Sequence, residues 1–217
     1  MVAAQFGLFE MAPFAPRFNV APTQPVAVVR CPSGESDREL AWLRWGLIPS
    51  WAKDPSVGNR MINARAETAA EKPSYRVAFR RRRCLVVADG FYEWQRTGGR
   101  KQPYFIRMRD DRPFGFAGLW ESWEGPEEGP VESCTLLTTG PNALVAPIHN
   151  RMPVILSDRD YDRWLAPAIQ EPETVTSLLC PFPAEPMEAF AVSTHVNSPS
   201  RDDARCIEPV GQSPLGF

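Results

Sequence analysis

Proline is the residue type that most constrains the fold of this chain, because 23 of its 217 residues are prolines and they are spread along the whole sequence. A proline inside a helix removes a backbone hydrogen bond and clashes with the preceding turn. This frequency argues against long helices and favours short strands joined by turns. Since the sequence shows no internal repeat and no linker of low complexity, we interpret residues 1–217 as a single domain.

Strand patterns fill much of the chain after its first third. Residues 103–109 (PYFIRMR) alternate with the period of two that is typical of a half-buried strand. The Gly98-Gly99 pair before them suits a hairpin turn. Further strands are predicted at residues 84–94 with a bend at Asp89-Gly90, at 114–120, at 133–139 and at 152–156, and residues 121–132 are expected to form an exposed loop.

Two short helices complete the predicted elements. One covers residues 67–82 and is broken near Pro73. The other covers residues 157–165 and opens with Ser157-x-x-Asp160, which resembles a capping box. The predicted class is therefore α+β, with a mainly antiparallel β-sheet that curls toward a barrel and is flanked by a few short helices.

Composition excludes several classes of protein. Five scattered cysteines without a CxxC pair, together with two histidines, argue against a disulfide framework and a metal site, and each cysteine is expected to be a small buried side chain. No apolar run approaches the roughly 20 residues that cross a bilayer, and no secretory signal opens the chain. We expect a cytoplasmic protein without membrane contact. The net charge of −2 gives no overall attraction to nucleic acid, although a local basic patch can bind it.

Glu93 and His149 are the strongest candidates for acid–base chemistry. Glu93 lies among three aromatic residues in FYEW, where loss of hydration is expected to raise its pKa, although a glutamate facing solvent fits the same pattern. His149 lies on a turn between Pro147 and Pro153, which holds it in place, and a purely structural histidine remains open. His195 shows no comparable surroundings.

Other polar residues fit a nucleic-acid ligand. In an extended segment Asn63 and Arg65 point to one face, where Arg suits phosphate; a turn with a salt bridge to Glu67 is the alternative. Trp51 follows Pro49-Ser50 in a predicted loop and is placed to stack on a base, or else it belongs to the core. The run Arg80–Arg83 is interpreted either as a phosphate-binding stripe or as the cationic end of a helix.

Taken together and in this order, these segments resemble the SRAP family, named for SOS response-associated peptidase. The resemblance extends from about residue 6 to about residue 210. The segments that carry it are RFNVAPTQP, LRWGLIPSWAKD, INARAET, FRRRRCLVVADGFYEW, PYFIR, FAGLW, LLTTGPN, APIHNRMPVIL and VSTHVNSPSRDDARCIEPV.

The resemblance implies a protein that binds single-stranded DNA and traps abasic sites as a covalent adduct. In the family a cysteine at position 2, exposed when the initiator Met is removed, closes a thiazolidine ring with the sugar aldehyde. It implies catalytic roles for Asn63, Glu93 and His149, and neither a metal nor an organic cofactor. The DNA contacts that it implies are Arg65, Arg151, Trp51, Asn19 and Thr138. We expect a monomer that is found at the nucleoid when it is bound to DNA.

The beginning of the chain departs from the family pattern. Family members begin Met-Cys-Gly-Arg-Phe, whereas this chain begins MVAAQFGL and has no cysteine near its start. As written, the chain is expected to form no crosslink. One explanation, which we favour, is that the start was assigned at an internal codon or that the sequence was shortened. The other is that the chain is a degenerate relative that binds DNA without trapping it.

Three hypotheses about function follow. The first is an abasic-site crosslinking enzyme with lyase-like chemistry and a self-peptidase (hydrolase) activity that removes its own initiator Met. The second is a non-catalytic module that binds single-stranded DNA. The third, which we rank last, is a cysteine-type peptidase that acts on other proteins.

Overall fold

The computed structural model describes residues 2–9, 13–32, 37–125 and 129–211. In these residues the α-helices are short, and the longest has six residues, as the distribution of prolines predicts. No helix in the described ranges is long and apolar enough to span a membrane. The helices are α1 (Val2–Gln5), α2 (Ala66–Ala69), α3 (Arg76–Arg81), α4 (Tyr161–Leu165) and α5 (Pro172–Thr176), and single 3₁₀ turns lie at Pro55–Arg60, Asp158–Asp160, Thr194–Asn197 and Ala204–Ile207.

Strands form most of the regular structure. They are β1 (Pro25–Arg30), β2 (Glu39–Trp45), β3 (Asn63–Arg65), β4 (Arg83–Ala88), β5 (Gly90–Thr97), β6 (Arg100–Met108), β7 (Phe114–Gly125), β8 (Gly129–Thr139), β9 (Met152–Pro153), β10 (Ile155–Leu156) and β11 (Met187–Ala191).

Five strands close into a barrel. Strand β1 pairs with β2 and β4, β4 pairs with β7, and β7 pairs with β8, all antiparallel. A parallel pairing of β2 with β8 closes the ring. Strand β3 joins β8 in parallel, while β9 and β10 add to β8 and β7. The α+β class with a sheet curled into a barrel is therefore confirmed.

A second sheet, in the order β11-β6-β5, packs against the barrel. Alternate residues of the barrel strands face two different apolar cores, as Leu85 and Val86 show. The core that contains Val86 also contains Ile106 and Met108 of the second sheet. Gly90 starts β5 where a Cβ would lie 2.1 Å from the ring of Phe105, so only glycine permits this close approach.

Several local predictions are confirmed. Strands β5 and β6 form the hairpin expected at Gly98 and Gly99, whose φ values are 57° and 79°. The bend expected at Asp89-Gly90 separates β4 from β5 and transfers the chain from one sheet to the other. The helical region that begins near residue 67 is interrupted around Pro73, between α2 and α3.

Three local predictions are wrong. Residues 121–125 and 129–132 of the predicted loop are strand, and residues 126–128 lie outside the described part of the chain. Glu121 is buried in an ion pair with Arg82, and Trp123 is buried with its indole N–H donating to the Ala52 carbonyl at 2.7 Å. Ser157 makes no side-chain capping bond, and the residues directly after it, Asp158–Asp160, form a 3₁₀ turn before α4 begins at Tyr161. Cys180 is exposed and Cys31 is only half-buried, whereas the other three cysteines are buried as expected.

Candidate functional site

Glu93 and His149 lie side by side. Glu93 is on β5 of the second sheet, and His149 is in the segment after β8 of the barrel. Nδ1 of His149 is 3.6 Å from Oε1 of Glu93. The imidazole is 43% exposed and the Glu93 side chain 20% exposed, so the pair can be reached from solvent through the histidine.

The surroundings of Glu93 change its acidity. Loss of hydration on burial raises the pKa of its carboxyl group above the ordinary value, which confirms the prediction from FYEW. The charge of His149 and the backbone N–H of Trp94 act in the opposite direction and lower this pKa by less. A carboxyl group held closer to protonation is suited to proton transfer near neutral pH.

A compact turn positions His149. Asn142 begins it: its Oδ1 accepts from the Val145 N–H at 2.9 Å, and its Nδ2 donates to the Phe182 carbonyl at 2.8 Å. The His149 N–H then donates to the Val145 carbonyl at 2.9 Å. Gln95 ties this turn to β5, because its Nε2 donates to the Pro147 carbonyl at 3.0 Å.

Sequence reasoning missed both positioning residues. Asn142 follows Gly140-Pro141 and precedes an apolar pair, which is a readable start signal for a helical turn. Gln95 lies two residues after Glu93 and therefore points to the same face of β5. Its partner is 52 residues away, a contact that no local pattern predicts.

The contacts of His149 leave one ring nitrogen available. Nδ1 lies 3.0 Å from the Arg151 carbonyl oxygen, and the Arg151 N–H donates to it at 3.3 Å. The contact with Glu93 also uses Nδ1. In the described part of the chain no hydrogen bond involves Nε2, so this atom is free to meet a ligand.

Arg151 is held by Glu67 and Thr138. Its two terminal nitrogens reach the two oxygens of Glu67 at 2.6 and 2.8 Å, which is a bidentate pair. Nη2 also donates to the Thr138 carbonyl oxygen and lies 3.4 Å from the Thr138 hydroxyl. The Arg151 guanidinium lowers the pKa of Glu67.

Asn63 and Arg65 lie on β3 beside this group. Both side chains are exposed while Ala64 between them is buried, which confirms that the two share a face. Arg65 lies opposite Thr138 in the β3–β8 register. Glu67 pairs with Arg151 and not with Arg65, so the alternative of an Arg65–Glu67 salt bridge is wrong.

The structure thus joins most of the predicted site residues in one series. Glu93 contacts His149, His149 contacts the backbone of Arg151, and Arg151 contacts Thr138, which lies opposite Arg65. Asn63 belongs to this series through its strand and not through a side-chain contact with Glu93. The series connects a proton-transfer pair to Arg151, whose guanidinium faces Glu67 and Thr138, and to the strand that carries Arg65.

Trp51 and Asn19 lie apart from this series. Trp51 is 63% exposed, as predicted for a loop aromatic. Asn19 is buried, and its Nδ2 is shared among the carbonyl oxygens of Val196, Ser198 and Arg201 at 2.9–3.1 Å. Asn19 therefore fixes the C-terminal segment, and its contact with DNA stays a prediction.

The arginine run is divided between two roles. Arg82 pairs with Glu121 at 2.7 Å. Arg83 is buried without a carboxylate partner and donates to carbonyl oxygens, and burial lowers its pKa to about 10. These acceptors are the carbonyl oxygens of Phe79, Arg80, Trp164, Ala166 and Ile169. The prediction of a phosphate-binding stripe is therefore wrong for Arg82 and Arg83.

His195 belongs to a cluster that sequence reasoning missed. Its Nε2 lies 3.1 Å from Asp203, and together with Cys206 these side chains bring potential ligand atoms within 4.8 Å of one another. Arg201 lies 3.3 Å from Nδ1 of His195, and Arg205 pairs with Asp203 at 2.9 Å. Two guanidinium groups oppose a cation here, so we interpret the cluster as an ion-pair network.

Known proteins resemble the whole chain. The family model described as SOS response associated peptidase (SRAP) matches residues 2–199. The abasic site processing protein YoqW of Bacillus subtilis is 44% identical over 95% of this chain and 93% of its own length. The abasic site processing protein HMCES of Gallus gallus is 36% identical over 91% of this chain and 67% of its own length. A crystal structure of a protein from Bacteroides thetaiotaomicron, 30% identical, covers 87% of this chain and 82% of its own with a TM-score of 0.77.

Proposed function

This chain belongs to the SOS response-associated peptidase family, and we propose that it processes abasic sites in single-stranded DNA. Two observations support the proposal. Relatives that are 36–44% identical over more than nine-tenths of the chain carry the name abasic site processing protein. The Glu93–His149 pair, with a gap of 3.6 Å, is the single structural observation on which the proposal rests.

The pair matches the chemistry of an abasic deoxyribose. Opening of the sugar ring to the aldehyde needs a base that takes the proton of the C1′ hydroxyl and an acid that gives a proton to the ring oxygen. Nε2 of His149 is available as the base, and Glu93, whose pKa is raised by burial, serves as the acid. After the step His149 releases the proton that it took and Glu93 regains the one that it gave, either by exchange with water or by transfer from His149 to Glu93.

Arg65 and Arg151 are proposed to hold the phosphates on either side of the sugar. Arg151 shares its charge with Glu67, whereas Arg65 has no ion pair among the described residues. We therefore expect Arg65 to contribute more than Arg151 to the affinity for DNA and to its salt dependence, because a phosphate contact releases counterions.

Two further residues are proposed to contact the nucleotide. Asn63, on the same face of β3 as Arg65, is proposed to orient the sugar hydroxyl. Trp51 offers an exposed ring on which a neighbouring base can stack.

Covalent capture needs an N-terminal cysteine, by the resemblance described above. The earliest cysteine in the sequence is Cys31, and burial raises the pKa of its thiol. A low-pKa, accessible thiolate is the reactive form of cysteine, and the raised pKa of the half-buried Cys31 thiol disfavours that form. We propose that the 217-residue chain binds abasic DNA without a covalent bond, and that a form beginning with Met-Cys-Gly-Arg forms the adduct.

Gel electrophoresis tests both statements. The 217-residue chain is incubated with a single-stranded oligonucleotide that carries one abasic site, and with the same oligonucleotide without it. We expect a shifted band on a native gel with a preference for the abasic strand, and no shift on a denaturing gel. The form that begins with Met-Cys-Gly-Arg should give a heat-stable shift on the denaturing gel. Absence of native binding would refute the proposal.

A non-catalytic DNA-binding module is the second candidate. Arg65, which is exposed and makes no ion pair among the described residues, supports a phosphate contact that needs no chemistry. This candidate requires that the Met-Cys-Gly-Arg form also gives no denaturing shift while native binding persists. The same pair of gels therefore separates the two candidates.

A further inference from the structure

The segment that follows Arg65 is strongly basic. Residues 65–83 contain seven arginines and lysines against two glutamates, although the whole chain has a net charge of −2. This concentration of charge is larger than the proposed site needs, because Arg65 is the one cation of these seven that the proposed site uses, through its position opposite Thr138. The other six require a separate explanation.

The structure divides these six cations into two groups. Arg82 forms an ion pair with Glu121, and Arg83 donates to backbone carbonyl oxygens, so both are occupied within the protein. The remaining four are exposed, and in the described part of the chain none of them makes an ion pair or a side-chain hydrogen bond. These four, which we call the α3 basic face, are Lys72, Arg76, Arg80 and Arg81.

Helix α3 presents this face in a fixed geometry. Ala78 and Phe79 are buried in the core, so the opposite side of the helix points to solvent. Arg76 and Arg80 are one turn apart on that side, about 6 Å along the axis. Lys72 lies one turn earlier, because its carbonyl accepts from the Arg76 N–H at 2.8 Å.

The α3 basic face is also rigidly connected to the proposed site. Helix α2 begins directly after Arg65, and Ala69 of α2 shares one apolar core with Tyr75 and Phe79 at the start and end of α3. Arg65 and the α3 basic face therefore keep a constant spatial relation. A strand held by Arg65 can continue onto this face without any rearrangement of the protein.

We infer that the α3 basic face binds the phosphates of the DNA strand that flanks the abasic nucleotide. This inference rests on the proposed function. Three of the four cations are arginines, whose planar fork matches the oxygens of a phosphate. Glu71 is the only carboxylate within the exposed part of this segment beyond Glu67, so the face is not neutralised by the protein itself.

A triple variant, Arg76→Ala with Arg80→Ala and Arg81→Ala, tests the inference in the full chain. Affinity is measured by fluorescence anisotropy for abasic oligonucleotides of about 5 and about 20 nucleotides over a range of salt concentrations. For the long oligonucleotide we expect about tenfold weaker binding at low salt, and a slope of log affinity against log salt that is smaller by about 2. Binding of the short oligonucleotide should be unchanged, because it does not extend beyond Arg65.

Two control variants separate the position of the charge from the charge itself. Arg96, Arg100 and Lys101 on the β5–β6 hairpin are also exposed and make no ion pair in the described residues, so their triple Ala variant removes the same charge elsewhere. It should leave the affinity for the long oligonucleotide within about twofold. Lys in place of Arg76, Arg80 and Arg81 keeps the charge and should restore most of the salt slope.

The outcomes separate the inference from the proposed function. If the unaltered chain binds no abasic oligonucleotide of either length, the proposed function is wrong and the inference falls with it. If it binds but the α3 triple variant keeps the affinity and slope for the long oligonucleotide, only the inference is overturned. An equal loss of affinity in the hairpin variant would also overturn the inference. Co-sedimentation of the protein with phosphatidylserine vesicles gives a further check. If the α3 triple variant loses this co-sedimentation while its DNA binding stays intact, the face binds a membrane surface and the inference is overturned.

Discussion

The two histidines of this chain each lie beside a carboxylate, and the two pairs are electrostatic opposites. His149 and Glu93 are 3.6 Å apart, and burial raises the pKa of Glu93. His195 and Asp203 are 3.1 Å apart, and hydrogen bonds from Arg205 and then from His195 hold the pKa of Asp203 well below its usual range. The pKa of the carboxyl group is thus shifted in opposite directions in the two pairs.

The difference teaches that neighbouring guanidinium groups decide what such a pair can do. A guanidinium only donates, so Arg201 beside Nδ1 of His195 fixes that nitrogen as an acceptor and directs the Nε2 proton to Asp203. Both ring nitrogens are then used. At His149 the cation nearby is Arg151, but it contacts the imidazole only through its backbone and leaves Nε2 free.

The largest expected effect is on adduct formation by the form that begins with Met-Cys-Gly-Arg. Glu93→Gln should slow the adduct by roughly 100-fold, because a positioned acid or base contributes factors of this size. Asp203→Asn should leave the rate within about twofold. Time courses on denaturing gels measure both rates, with DNA affinity as the control. Equal rates for the two variants would remove the functional distinction between the pairs.

Gln95→Ala should have a smaller effect of roughly tenfold on the same rate, because the turn that carries His149 loses its tie to β5. The matched control is Gln102→Ala. Gln102 lies directly opposite Gln95 in the β5–β6 register, and its amide donates instead to the carbonyl oxygens of Pro103 and Val192. If both variants slow the adduct equally, Gln95 has only a structural role.

Asp203→Asn should lower the Tm near pH 7.5. The pKa of Asp203 is lowered by folding, so its contribution to stability is present above the ordinary aspartate pKa of about 3.9 and is lost as the pH falls below it. Thermal unfolding followed by circular dichroism should therefore show a gap between variant and parent that narrows under acidic conditions. A gap that is independent of pH would mean that the carboxylate charge is not the cause.

Glu93→Gln should have the smallest effect and the opposite sign. Because folding raises the pKa of Glu93, ionised Glu93 destabilises the protein at neutral pH, and this cost is absent below the ordinary glutamate pKa of about 4.3. We expect a slightly higher Tm for the variant near pH 7.5 and equal values near pH 4. A lower Tm at neutral pH would show that the contact with His149 outweighs the loss of hydration.

The sequence predicted what depends on local pattern. The strand that carries Glu93, the hairpin at Gly98-Gly99 and the shared face of Asn63 and Arg65 follow from alternation and turn residues, and the structure confirms them. The raised pKa of Glu93 followed from its aromatic neighbours.

The errors came from partners that are distant in sequence. Glu121 looked exposed because its partner Arg82 is 39 residues away. Arg83 looked like a phosphate ligand because the carbonyl oxygens that surround it belong mainly to residues 164–169. The amide group of Asn19 donates to three carbonyl oxygens of residues 196–201, more than 170 residues further along the chain, a structural role that its local sequence does not show. Polar residues find such partners only through the tertiary fold, which local patterns do not encode.

Glu93 is on the second sheet and His149 is in the segment after β8 of the barrel, so the gap between them depends on how the second sheet packs against the barrel. Among the described residues, two polar contacts join the turn that carries His149 to this sheet: Gln95 donates to the Pro147 carbonyl, and Nδ2 of Asn142 lies 3.5 Å from Sδ of Met187 on β11. Apolar packing also joins the barrel and the second sheet. A ligand that contacts both Glu93 and His149 would hold the second sheet against the barrel. Protection of the β5 amides from hydrogen exchange would then rise on binding, even far from the DNA itself.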